Sequence, residues 1–429
     1  MMYDPRKAPC DSAASQSLSA RAASEPLSSR QALTAIVFCL LVATTIVLGT
    51  SVVASEASTP AQDCLGGANF SVARDGDLLV IPIAIGVRQY YFALDTGCAA
   101  SILDKTFRPM LGESVGIARL QTPDGVELHS LWRAPEAAIA SRRLSGLSEI
   151  LCTDLSVIRN ATGLDIYGLL GMDFLQDKRL RIDFDRGELA FLAAVPDGAG
   201  SEIPLHFTPT GVPTVTLTIS GFGEETFTVD TGDVWLSAGM IEAKLFTRLL
   251  ETGSAIPLEP GLFTTLSNAP AHTRRACLKA VEVGKFRHEE ISFTEAAVNA
   301  LGTGYLSRYV VTFDFPGRKM YLKPGLRFAE PRRRGLSGID VWCPDGIMTV
   351  RSVRKGSAAE RAGLKAGDVI EQIGSRPARS LAVFEVIRLF CVQGTHRLAV
   401  TRGNERLQME LVLELPADPS ADGVRTNGP

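Results

Sequence analysis

The stretch YYFALDTGCAAS (residues 90–101) decides the fold. An aromatic-rich apolar run ends on one carboxylate, Asp95, followed by a small hydroxyl residue, Thr96, and by Gly97. A turn accounts for the Asp and the Gly. It does not account for FTVDTGDVWLS (residues 227–237), where Asp230, Thr231 and Gly232 repeat the pattern after another strand-like run.

The repeat extends further. Downstream of the first copy lies LLGMDFLQDKRLRIDFDRGELAFL (169–192), and downstream of the second LGTGYLSRYVVTFDFPGRKMYL (301–322). Gly171 aligns with Gly302, Phe174 with Tyr305 and Leu175 with Leu306; Asp183-Phe184 aligns with Asp314-Phe315, in both cases 12 residues after the glycine. One carboxylate per copy suggests a two-fold arrangement in which Asp95 and Asp230 meet. Two carboxylates a few Å apart do not both ionise cheaply, so such a pair holds one proton. One is then a general acid and the other a general base for a water between them.

The surroundings are strand-rich. LLVIPIAIG (78–86), LRIDF (180–184), TVTLTI (214–219), TFTVD (226–230) and VVTFDF (310–315) read as strands, and Pro123-Asp124-Gly125 reads as a hairpin turn. The repeat divides this mainly β region into units at 70–195 and 200–325. A Pro/Arg-rich connector, PGLRFAEPRRRG, leads to a third unit at 335–415, and 416–429 has the composition of a disordered tail. In the third unit, SAAERAG reads as a helix capped by Ser357 and ended by Gly363, and residues 380–392 as an amphipathic helix.

The chain has 429 residues, 45% hydrophobic and 21% charged, with a net charge of −3. That balance argues against a nucleic-acid partner, and Arg332-Arg333-Arg334 reads as a solvated linker. No C-x-x-C pair and no ligand spacing among His129, His206, His272, His288 and His396 suggests a metal. No G-x-S-x-G elbow suggests a serine hydrolase. Neither a metal nor a cofactor is expected. Asp165, Asp173 and Asp177 flank turns and are expected to cap or face solvent.

ALTAIVFCLLVATTIVLGTSVVA (32–54) is uncharged and long enough to cross a bilayer as a helix. The leader 1–31 carries Arg6, Lys7, Arg21 and Arg30, which predicts the N-terminus inside and the bulk exported. The span is either a signal-anchor, giving a single-pass membrane protein with the rest on the periplasmic side, or a signal peptide cut after Ala54. The six cysteines beyond it, Cys64, Cys98, Cys152, Cys277, Cys343 and Cys391, allow 15 full pairings, and an exported chain oxidises some of them.

Two D-T-G loops, each with an apolar-apolar-Gly element (Leu169-Leu170-Gly171 and Ala300-Leu301-Gly302), resemble the aspartic proteases of the pepsin and retropepsin superfamily, most of all the bacterial retropepsin-like group. The resemblance covers about residues 75–325. It implies two pseudo-symmetric β-barrel lobes flanking a cleft, catalytic Asp95 and Asp230, and supporting Thr96, Gly97, Thr231 and Gly232. It also implies hairpin flaps near 117–131 and within 262–284. The family places a small residue after each glycine; here stand Cys98 and Asp233. Cys98 is expected to pack. Asp233, if buried, raises the pKa of the pair; otherwise it faces solvent or an arginine.

The A-G-L-x-x-G-D-x-I string from Ala362 to Ile370 resembles a bacterial PDZ domain, an α+β fold. The resemblance implies that an extended peptide adds to a sheet edge, with N–H groups at Gly338 and Ile339 receiving its terminal carboxylate and the 380–391 helix lining the pocket. The other reading is a module that docks only on its own lobes. The expected function is an exported aspartic endopeptidase acting on protein or peptide substrates, its PDZ domain recruiting them or regulating access. The alternative is a non-catalytic peptide-binding scaffold built on the same double lobe.

Overall fold

A computed structural model describes residues 65–415 apart from 123, 124, 145, 235, 265–269, 332 and 333. The leader 1–31, the span 32–54, Cys64 and the tail 416–429 lie outside the described residues. Among the described residues no helix is long and apolar enough to cross a membrane. The chain is mainly β.

Both copies of the repeat build one local arrangement. In the first, Val80–Ile85 and Arg88–Leu94 form a hairpin turned by Gly86 in the left-handed region, φ +60°. Arg88–Leu94 then lies parallel to Ile166–Leu170, which runs antiparallel to Ile102–Asp104. In the second, the hairpin Pro213–Ile219 and Gly223–Val229 leads to a parallel pairing with Ala300–Leu301, itself antiparallel to Gly239–Glu242. The apolar-apolar-Gly elements are therefore short inner strands wedged beside the strand that carries each aspartate. Burial on both faces explains why they read as unbroken apolar runs.

These pairings sit in a nine-stranded sheet for the first lobe and an eight-stranded sheet for the second. In the second, a further pairing of Pro213–Ile219 with Pro270–Val283 joins the path back on itself. The repeat's last strands do not stay in their lobes. Arg179–Asp183 pairs antiparallel with Tyr309–Asp314, Leu180 opposite Phe313 and Ile182 opposite Val311. They lie in a six-stranded sheet that takes three strands from each copy. Those four side chains are fully buried, and Arg179 pairs with Asp314 across the sheet at 2.8 Å. The two copies thus share one floor.

Residues 339–413 form a separate sheet with its own core, including Val350, Ile370, Val386, Phe390 and Leu411. Ser357 accepts the Glu360 N–H at 3.2 Å to cap Ala358–Arg361, and Gly363 leaves that helix at φ +83°. The second helix is shorter than the sequence pattern, Val383–Leu389, because the Glu385 carboxylate accepts the Ala382 N–H and starts it there. Its sheet ends at the edge strand Ile339–Trp342.

His288 lies buried against Tyr305, Tyr309 and Phe328, its Nε2 2.5 Å from the Tyr309 hydroxyl. Burial holds its pKa down to about 4. The folded state keeps the ring neutral while the unfolded chain protonates it near pH 6.5. Its contribution to stability is therefore present above that value and lost as pH falls toward about 4. His288→Gln should flatten the acid side of the stability curve, read as urea midpoints between pH 4 and 7.

Candidate active site

Each aspartate follows directly from its strand. The Asp95 N–H donates to the Leu170 carbonyl at 3.0 Å, and the Asp230 N–H to the Leu301 carbonyl at 3.0 Å. The inner strands thus set both carboxyl groups at equivalent heights. The loops then lock each other. The Thr96 N–H donates to the Thr231 hydroxyl at 3.0 Å, and the Thr231 N–H to the Thr96 hydroxyl at 3.1 Å. The Thr96 hydroxyl donates to the Val229 carbonyl at 2.6 Å, and the Thr231 hydroxyl to the Leu94 carbonyl at 2.8 Å. Each threonine holds the backbone of the opposite lobe.

The carboxyl groups meet. The Asp95 carboxyl lies against Gly232 and the Asp230 carboxyl against Gly97, and the two side chains are 4% and 2% exposed. The Gly97 N–H donates to Asp95 at 2.9 Å; the Gly232 and Asp233 N–H groups donate to Asp230 at 2.8 and 3.2 Å. A Cβ on Gly97 would stand 2.5 and 2.6 Å from the two Asp230 oxygens, and one on Gly232 would stand 2.6 and 2.8 Å from those of Asp95. Only glycine leaves room for the opposite carboxyl. Burial, then the charge of Asp230, raises the Asp95 pKa well above the ordinary range. Two like acids buried this close favour holding one proton between them.

The two departures differ. Cys98 is fully buried, its thiol donating to the Ala100 carbonyl at 2.9 Å. Burial and Asp95 push its pKa well up, so it stays a thiol and packs. Cys152 and Cys343 are likewise buried thiols. Asp233 is 1% exposed, and neither carboxyl oxygen has a hydrogen-bond partner among the described residues. It meets neither solvent nor an arginine. Burial, then Asp230, raises its pKa well above the ordinary range, which favours the neutral acid beside the pair. A Cβ on Gly302 would overlap it.

Asp173, expected to cap or face solvent, lies in the first turn of Met172–Leu175 and accepts the Phe174 N–H at 2.8 Å. It accepts the Ser101 N–H at 2.8 Å and hydroxyl at 2.6 Å, while the Ser101 hydroxyl accepts the Gly171 N–H at 3.0 Å. This chain braces the first loop from behind. Its counterpart in the second copy is Gly304, so comparing the copies gave no signal for it.

Gly116–Thr122 and Gly125–Arg133 form the expected hairpin in the first lobe, its tip residues 123 and 124 lying outside the described residues. In the second lobe the hairpin is longer than expected, Ala255–Thr264 against Pro270–Val283. Gly338 directly precedes the edge strand, which Ile339 begins. Gly338 takes φ +70°, a Cβ there would collide with Ser357, and its carbonyl accepts the Arg354 N–H at 2.8 Å. The Ile339 N–H, expected to receive a carboxylate, already donates to the Ser337 hydroxyl at 3.3 Å.

A family model described as PDZ domain matches residues 349–402. That stretch is a PDZ domain; the edge strand and the Gly338 loop precede the match. The chain is also similar to the crystal structure of a retropepsin-like aspartic protease from Rickettsia conorii, at 18% identity. The likeness covers 28% of this chain and 88% of that one, with a TM-score of 0.23. No curated protein matches the chain.

Asp233 yields a testable consequence. Its raised folded pKa means that the unfolded chain ionises first as pH rises, so its contribution to stability is lost above the ordinary carboxylate range. Asp233→Ala should therefore stabilise the protein at pH 8, by about 1–3 kcal/mol, the usual cost of an unsatisfied buried polar group. The gain should shrink at pH 4, in paired urea titrations.

Proposed function

We propose that the chain is an aspartic endopeptidase that hydrolyses peptide bonds with a water activated between Asp95 and Asp230. The single observation that carries this reading is the buried carboxyl pair, brought together by two sequence-distant loops that grip one another. In this reading the ionised member takes a proton from the water as it attacks the peptide carbonyl. The protonated member donates to the carbonyl oxygen, and the pair later returns a proton to the leaving amine. No covalent intermediate is needed. The N–H groups of Gly97, Gly232 and Asp233 steady the charge on the pair throughout. The hairpin Gly116–Arg133 is the flap that closes over substrate. The apolar span at 32–54 supports a site of action outside the cytoplasm, and the PDZ domain supports a peptide or protein partner.

Asp95→Asn should lower cleavage of a mixed peptide library by roughly 10³-fold or more while leaving the unfolding midpoint near that of the wild type. A statine-type transition-state mimic such as pepstatin should protect the wild type, but not the variant, against thermal unfolding. Full activity in the variant would sink the assignment. Absence of cleavage by the wild type, with peptide binding intact, would favour the scaffold reading.

A further inference from the structure

The PDZ domain does not stand apart from the two lobes. A PDZ groove lies between an edge strand and a helix, where an extended peptide adds to the strand; here those elements are Ile339–Trp342 and Val383–Leu389. The first lobe's helix Ser156–Thr162 packs against both of them and against the turn Pro344–Gly346. The Cys343 N–H, just past the edge strand, donates to the Asn160 carbonyl at 2.6 Å. A Cβ on Gly163, which ends that helix, would stand 3.4 Å from the Cys343 Cβ and 3.6 Å from the Val383 nitrogen. The helix end thus closes the groove at the end away from Gly338.

The same face reaches the dyad loops. Two cavities flank these loops at equivalent positions of the repeat. One, of about 230 Å³, is lined by Ala99, Ser101 and Asp173, with Thr210 from the opposite lobe. Its mate is lined by Val234, Leu236 and Gly304, with Asp75 and Gly76 from the opposite lobe. The mate measures only about 60 Å³, and Phe384, Ile387 and Arg388 of the PDZ helix stand in its wall. Ala382 and Phe384 share an apolar cluster with Cys98 and Val234 from the two dyad loops, with Ile158 of the docked helix and with Leu155, which precedes that helix. Arg388 pairs with Asp77 and, at 3.8 Å, with Asp75; Arg327 from the connector pairs with Asp75 at 2.6 Å.

From these contacts we infer that Ser156–Thr162 is the resident occupant of the PDZ groove, and that the domain so held is a brake on the carboxyl pair. It ties the first lobe to the second and fills the cavity beside Val234. The partner that releases it is a free peptide C-terminus long enough to pair along the edge strand as far as Cys343, since such a peptide must displace the helix. This rests on the proteolytic reading of the pair.

Gly163→Cys tests it in the full chain. The substituted Cβ would lie close to the 3.5–4.5 Å span that disulfides require from Cys343. Oxidation with copper phenanthroline should give a cross-linked peptide joining residues 163 and 343, read by mass spectrometry. Cleavage of a quenched peptide substrate should fall about tenfold or more on locking and return with dithiothreitol. Arg388→Glu, which turns the clasp to Asp77 and Asp75 into repulsion, should cleave several-fold faster than the wild type by the same population argument. Failure of the two thiols to join would overturn the docking. A locked form as fast as its reduced form, or Arg388→Glu at the wild-type rate, would overturn the brake. No cleavage from any form would overturn the protease reading and the brake together, whereas the cross-link would still identify the helix as the groove's occupant.

Discussion

The site depends on a reciprocal exchange of hydrogen bonds between Thr96 and Thr231. Each backbone N–H is satisfied by the other loop's hydroxyl, and each hydroxyl then donates to a carbonyl beside the opposite aspartate. Neither loop is complete alone. Two buried carboxyl groups would otherwise be costly. Sharing one proton and accepting N–H donors from Gly97, Gly232 and Asp233 makes their burial tolerable. The glycines are required by the same closeness, because a methyl group on either would occupy the place of the facing carboxyl.

Beneath the loops, rigidity comes from the shared sheet. Leu180 against Phe313 and Ile182 against Val311 join the copies edge to edge. The helical turns Met172–Leu175 and Thr303–Leu306 bury Phe174 and Tyr305 just behind the inner strands. A displacement of one lobe is thereby carried to the other through hydrogen-bonded backbone rather than through loose side chains. This suits a site whose two halves must hold a fixed separation.

The symmetry is broken where specific chemistry enters. Cys98 packs as a buried thiol, while its counterpart Asp233 is a buried carboxyl group whose pKa burial raises. Ser101 and Asp173 brace the first loop with polar bonds, whereas Gly304 takes the place of that aspartate in the second. Two halves built on one plan are thus given different environments.

Asp95, Asp230 and the residues beside them were legible because the signal is local and repeated: strand, carboxylate, hydroxyl, glycine, twice. The mainly β character and the first-lobe hairpin follow from alternation and turn chemistry over a few residues. The PDZ unit was legible from a compact glycine-spaced string. The sequence did not reveal that LRIDF and VVTFDF leave their lobes to pair with each other, since strands so far apart carry no mark of their register. It did not place Asp233 away from solvent, because burial is decided by what other segments cover. Nor did it seat Ser156–Thr162 against the PDZ groove: seven residues of ordinary helix gain their partner only when the folded surfaces fit. Local chemistry named the acids; long-range packing decided what surrounds them.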